Sequence, residues 1–329
     1  MGDKKRTPEI IKQALKKNWS HVFFVLNPIT VIITKMIISW YKINSKNIKI
    51  FSFRDTDTSL LNYSVTKIYP GEYDRYLERF LFYSPTANII KNEINSICSN
   101  FILYTSWAYL QAEKILQIDS CMGHIYIEEG QHSYMQIPEF NYKKLSLKDK
   151  FFRNWRNRFS KVDEIGFYFR NDSSSYIGID KQVFPKINNK KKVILSNIFS
   201  IKKSYNPNLL GISTIGLTCA SRRIGKEYWK DMFKHLIKEM NGEGVIKLHP
   251  SFSASKIIDD KIRNVFDEID SHNVIICSNS INIELEMLFE RKKIIGYKTS
   301  LSKYASIFGS DFKLLELDKI NSTNDKNYS

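Results

Sequence analysis

Apolar and polar positions follow two rhythms along this chain. Short unbroken apolar runs at residues 21–26, 48–53, 101–105 and 124–127 have the length and the β-branched and aromatic content of strands buried on both faces. Between them, residues 29–41, 87–97 and 107–116 carry helical spacing, so the chain opens as strand, helix, strand and predicts a parallel sheet wrapped by helices. A second series begins near residue 206. Strands are predicted at 212–218, 244–248, 274–277 and 293–297, with amphipathic helices at 226–240, 257–269 and 281–289 between them. The resulting fold class is α/β, with two Rossmann-like domains. The expected boundaries are a basic lead at 1–20 outside the first core, a domain at 21–180 closed by a strand at 164–169, a linker at 181–205, a second domain at 206–320 and a polar tail at 321–329. The linker assignment rests on Pro185, Asn188, Asn189 and the surrounding lysines.

Composition narrows the class. With 329 residues, of which 43% are hydrophobic and 13% aromatic, the chain can fill two cores and is not disordered. The net charge of +16 favours anionic partners, although Lys, Asn and Ile are abundant throughout. Cys98, Cys121, Cys219 and Cys277 lack pair spacing and sit in or beside apolar runs, which suits free thiols in a reducing compartment and gives no zinc site. Residues 22–41 approach membrane length, but Asn27, Pro28, Thr30, Thr34 and Lys35 interrupt them, so a strand and a helix fit better than a span. No signal-peptide pattern opens the chain, and a cytoplasmic protein is expected.

In folds of this kind ligands sit outside the carboxyl ends of the strands, and two such domains are expected to face each other across a cleft. Three clusters follow predicted strands. Glu128, Glu129 and Gly130, with Ser133 and Tyr134 after them, form an acid pair at a turn, where a carboxylate can take a proton from a hydroxyl. Lys247, Leu248, His249 and Pro250 end another strand; the imidazole can donate to a phosphate and the lysine can add charge. Ser278, Asn279 and Ser280 precede a helix, where serines cap the helix or bind an anion. Taken singly, each also reads as an ordinary turn, a solvated histidine or a cap. The loop around Arg222 and Arg223 reads as a solvated basic turn.

In their order, the acid-acid-Gly, His-Pro and Ser-x-Ser clusters resemble those of the bacterial sialyltransferases of GT-B fold, the lipooligosaccharide sialyltransferase and capsular polysialyltransferase relatives. The strand running into Asn27-Pro28 also resembles their first strand and loop. The serine pair departs from the family pattern, because Asn279 separates the two hydroxyls. The resemblance implies inverting, metal-independent transfer from CMP-sialic acid to a bacterial surface glycan, with no cofactor. It makes Glu129 or Glu128 the base, with Glu129 favoured as the residue nearer the turn. His249 becomes the acid or hydrogen-bond donor to the departing phosphate. Lys247, Pro250, Ser278, Asn279 and Ser280 fall on the donor side, and Asn27, Gly130 and Ser133 on the acceptor side.

Other readings are a GT-B transferase for CMP-Kdo or a nucleotide-diphosphate sugar, since fold alone does not fix the donor, and a non-enzymatic protein that binds anionic ligands. No recognised nucleic-acid motif is present. A basic aromatic helix at 143–161 places Phe151, Phe152, Trp155 and Phe159 on one face, with Lys150, Arg153, Arg156 and Arg158 around it. The stripe is expected to pack inward; the alternative is peripheral contact with an anionic membrane carrying a lipid-linked acceptor.

Overall fold

The computed structural model describes residues 7–53, 56–68, 85–97, 100–106, 110–134, 147, 164–165, 169–170, 173, 175–195, 205–219, 225–249, 256–269, 271, 273–297, 299 and 301–316. The chain divides into two compact units, Met1–Ser204 and Tyr205–Ser329.

In the first unit, helix α1 (Glu9–Lys17) precedes strand β1 (Ser20–Val25), helix α2 (Pro28–Tyr41), β2 (Ile48–Phe53), β3 (Val65–Ile68), α3 (Pro85–Ile97), β4 (Phe101–Thr105), α4 (Leu110–Leu116) and β5 (Cys121–Ile127). After these come two short strands, β6 (Glu164–Ile165) and β7 (Phe169–Arg170), then β8 (Ser175–Gly178) and β9 (Lys192–Ile194). The main sheet has seven strands in the order β3-β2-β1-β4-β5-β8-β9, and all its pairings are parallel. Alternate residues of each strand face opposite layers. Val22 and Phe24 join Phe51, Phe53, Leu103, Ile90 and Ile115 in one core, while Phe23 stacks on Tyr104 on the other face. Helix α2 begins where it does because Asn27 forms a capping box with Thr30 and Pro28 presets the first turn.

Three expectations are corrected here. The lead is not outside the core: Ile11 and Ala14 of α1 are fully buried, and Ile10 packs where a side chain at Gly123 would stand. The strand expected at 164–169 is instead the two-stranded antiparallel pair β6 and β7, and the sheet is completed by β8 and β9. Residues 181–195 are therefore not a linker. Their composition is that of a loop, but Val183, Phe184 and Ile187 are buried with Tyr126 and Tyr176 and anchor the crossover from β8 to β9. Residues 22–41 resolve into β1 and α2, and among the described residues no helix is long and apolar enough to cross a membrane. Of the helix expected at 143–161, all but Leu147 lies outside the described residues.

The second unit runs β10 (Thr214–Leu217), α5 (Lys226–Glu239), β11 (Glu243–Lys247), α6 (Lys256–Asp267), β12 (Asn273–Ile276), α7 (Ile283–Phe289), β13 (Lys293–Gly296), α8 (Leu301–Ile307) and β14 (Asp311–Leu314). Its five strands lie in the order β12-β11-β10-β13-β14, all parallel. Helix α5 buries Trp229, Met232, Phe233, Leu236 and Ile237, the i, i+3, i+4 stripe of an amphipathic helix. Two buried charges fix the entry to this unit. Glu286 accepts from the Asn208 and Leu209 amides, each at 2.9 Å, and Lys292 donates to the Leu209 and Ile212 carbonyls at 2.6 and 2.9 Å.

Candidate functional site

Each sheet has a point where successive connections leave in opposite directions, and there the carboxyl ends of neighbouring strands open a crevice. In the first unit this point lies between β1 and β4, and in the second between β10 and β13. The predicted residues sit at these ends or one to two strands away: Asn27 leaves β1, Glu128 leaves β5, His249 leaves β11, and the serines leave β12.

In the first unit, Asn27 leaves β1 and Glu128 to Gly130 leave β5. Asn27 Nδ2 donates to the Glu129 carbonyl at 2.6 Å, so the structure brings together two residues about a hundred positions apart in sequence. Ser133 Oγ accepts from the Glu129 amide at 3.1 Å, which closes the turn that Gly130 makes at φ 139°. The two acids then divide. Glu128 is fully buried; its carboxylate accepts from the Tyr134 hydroxyl at 2.5 Å and from the Ile179 amide at 2.8 Å. Burial, followed by the Glu128 charge, holds the Tyr134 phenol far above its ordinary range, so it stays a proton donor. Gly178 is required beside this carboxylate, because a Cβ there would stand 2.7 Å from Glu128 Oε2. Glu129 is half-buried at the mouth of the turn. Glu128 therefore anchors the loop, and Glu129 is the more accessible of the two acids.

In the second unit, His249 follows β11 half-buried, with its amide donating to Thr218 Oγ1 at 2.9 Å across the end of β10. Pro250 lies outside the described residues. Lys247 is 8% exposed and does not project into solvent; its ammonium donates to the Ser278 and Asn279 carbonyls at 3.0 and 2.7 Å. Burial lowers its pKa. Ser278 and Ser280 are exposed, and their hydroxyls stand 2.8 Å apart despite the intervening Asn279. Neither caps helix α7, whose N-cap is Asn282; the expected capping role is corrected, because the turn at 279–280 sets the helix start two residues further on. The Asn279 side chain points back into the fold, donating to Asp259 at 3.0 Å, and Asp259 also holds Arg263.

One candidate escaped the sequence reading. Glu284 stands half-buried in the first turn of α7, and burial raises its carboxyl above the ordinary range against an opposing pull from Lys247. A carboxyl so held can donate or accept a hydrogen bond to a polar ligand group. Its only sequence signal was position, six residues after Ser278 at the start of a helix. Cys277 is buried, and burial pushes its thiol up, which disfavours the thiolate. Among the described residues no cluster of His, Cys, Asp and Glu has metal-binding geometry.

No protein-family model matches the chain, and no curated protein sequence matches it. Solved structures do match. A Listeria monocytogenes protein assigned to the UDP-N-acetylglucosamine 2-epimerases aligns over 91% of this chain and 80% of its own, at 9% identity and TM-score 0.52. S. aureus MnaA in complex with UDP aligns over 90% of this chain and 79% of its own, at 10% identity and TM-score 0.51. A sialyltransferase from Photobacterium damsela aligns over 85% of this chain and 70% of its own, at 12% identity and TM-score 0.44. At these identities the likeness is one of fold, and the fold is the GT-B type: two Rossmann-like units, each built on a parallel sheet wrapped by helices.

Proposed function

We propose that the chain is an inverting, metal-independent glycosyltransferase that moves sialic acid from CMP-sialic acid to a bacterial surface glycan, acting in the cytoplasm at the inner membrane face where lipid-linked acceptors are presented. The observation that carries this reading is the turn at 278–280, where two exposed hydroxyls meet at 2.8 Å above a buried lysine, at the strand end next to His249. That grouping suits a phosphate monoester leaving with growing negative charge. Glu129 takes the proton of the attacking acceptor hydroxyl; the new C–O bond forms at the anomeric carbon as the bond to the phosphate breaks. His249 donates to the departing phosphate oxygen, and Ser278 and Ser280 hold the others. Glu128 keeps the base's loop in place through Tyr134 and Ile179.

A second reading, a nucleotide-diphosphate sugar as donor, draws support from the fold likeness to MnaA, which was solved with UDP. Calorimetry separates the two. The proposed function requires CMP to bind and UDP to bind at least about tenfold more weakly, a difference of about 1.4 kcal/mol. The reverse preference sinks the sialic-acid assignment and favours the second reading, while binding of an oligonucleotide in place of either would point to a non-enzymatic anion-binding protein.

A further inference from the structure

The peptide bond is planar and trans, so a carbonyl and the amide that follows it point in opposite directions. Lys247 Nζ receives the carbonyls of both Ser278 and Asn279, at 3.0 and 2.7 Å. Both peptide planes are thereby turned the same way. The amides of Asn279 and Ser280 must face away from the buried ammonium, toward the exposed side on which the two serine hydroxyls stand. The Ser280 amide already donates to Ser278 Oγ at 3.3 Å, which steers that hydroxyl toward Ser280 Oγ. Successive outward amides flanked by hydroxyls make an anion-binding concavity.

The charge of Lys247 is a second, separate observation. Cys277, Glu284, Arg263 and Asp259 act on it through space, yet among the described residues no carboxylate lies within ion-pair distance, and only carbonyl oxygens receive its protons. A buried cation with no carboxylate in contact is costly even where Glu284 and Asp259 favour its charge from a distance, and an anion bound on the far side of the turn would offset it further. Nearby, Asn282 is 8% exposed and its side-chain Nδ2 has no hydrogen-bond partner among the described residues.

We infer that Lys247 is a positioning residue: by gripping two carbonyls it shapes residues 278–280 into the cradle for the donor's phosphate, without touching the phosphate itself. This rests on the donor-side reading given above and deepens it. The motif Lys-x-His at the end of β11 then has two functions, the lysine setting the cradle and the histidine meeting the leaving group.

The test is calorimetry on the full chain with CMP, which carries the phosphate, and cytidine, which lacks it. Lys247→Met is expected to weaken CMP about tenfold or more while leaving cytidine within about twofold. Lys247→Gln, a neutral side chain that can still donate to one carbonyl, should fall between wild type and Met, and it serves as the variant to read if Met compromises the melt. The Ser278→Ala/Ser280→Ala pair supplies the decisive comparison. If Lys247 acts through the turn, Lys247→Met adds little further loss in that background; if it acts on the phosphate directly, the losses multiply. Unchanged CMP affinity in Lys247→Met, equal loss of cytidine, or multiplying losses each overturn the inference. Wild-type protein that binds UMP or inorganic phosphate but not CMP sinks the cytidine donor alone, and the Lys247 comparison is then read on that ligand. Wild type that binds none of them overturns both.

Discussion

The two strand-end turns are built on the same plan with opposite charges. In the first unit a buried carboxylate, Glu128, takes the Ile179 amide and the Tyr134 hydroxyl, and the loop it anchors carries the acid Glu129, whose carbonyl is held by Asn27. In the second a buried ammonium, Lys247, takes two carbonyls, and the turn it anchors presents hydroxyls and amides. An anion gathers donors inward and a cation gathers acceptors inward, so the two turns offer opposite chemistry outward. One suits accepting a proton, the other receiving a phosphate. In the proposed mechanism the residue adjacent to the chemistry is in each case distinct from the residue that makes the turn, and that separation can be tested.

The largest effect should come from the presented groups. His249→Ala and Glu129→Gln are each expected to lower turnover by about 10²- to 10⁴-fold while leaving the melting transition nearly unmoved, as loss of a general acid or base does. Retention of more than about a tenth of the rate, or a parallel loss of stability, would assign that residue to structure. Glu128→Ala should behave in the opposite way. It strands a buried amide and a half-buried hydroxyl, for a cost of about 3 kcal/mol in urea unfolding, and its activity loss should follow the loss of folded protein. Glu128→Gln keeps one acceptor and should be milder.

His21 is the control, a buried titratable group at the other end of β1 with no ligand to serve. Its Nδ1 meets the Tyr104 hydroxyl at 2.9 Å, and burial lowers its pKa to about 4. Because the unfolded chain takes up the proton near pH 6.5 and the folded chain only near 4, the unfolded state binds more protons between those values. Stability therefore falls on acidification through that window, by about 3 kcal/mol in total. Urea titrations from pH 7 to 4 should show this slope and lose most of it in His21→Gln. The smallest effect is expected for Ser278→Ala with Ser280→Ala: CMP affinity drops by about 1 to 3 kcal/mol with stability unchanged, since both side chains are exposed. Unaltered CMP binding would reduce the turn to a plain helix approach.

The strands buried on both faces were legible in the sequence: residues 48–53 and 101–105 match β2 and β4 end to end, and every predicted element of the second unit lies within about two residues of its expected bounds, because parallel strands between helices write continuous apolar runs. Four short strands were not. β3, β8, β9 and β14 are four residues or fewer and partly polar, and the β8 to β9 crossover has the composition of a loop although three of its side chains are buried. At the site, the placement of Glu129, His249 and the serines at strand ends could be read from sequence order. The division of labour between Glu128 and Glu129 could not, since it depends on Tyr134 and Ile179 closing over one carboxylate. Lys247 looked like a charge at the mouth because a strand-end lysine usually reaches water; its target, a turn thirty residues away, exists only once β11 and β12 pair.

The most direct measurement is release of CMP from CMP-sialic acid, followed alongside transfer to a panel of galactoside and sialoside acceptors, with UDP-N-acetylglucosamine as the parallel substrate. The account predicts acceptor-dependent CMP release with sialic acid recovered on the acceptor in inverted configuration, and no turnover of the UDP-sugar. Conversion or transfer of the UDP-sugar, with CMP-sialic acid left intact, would contradict it.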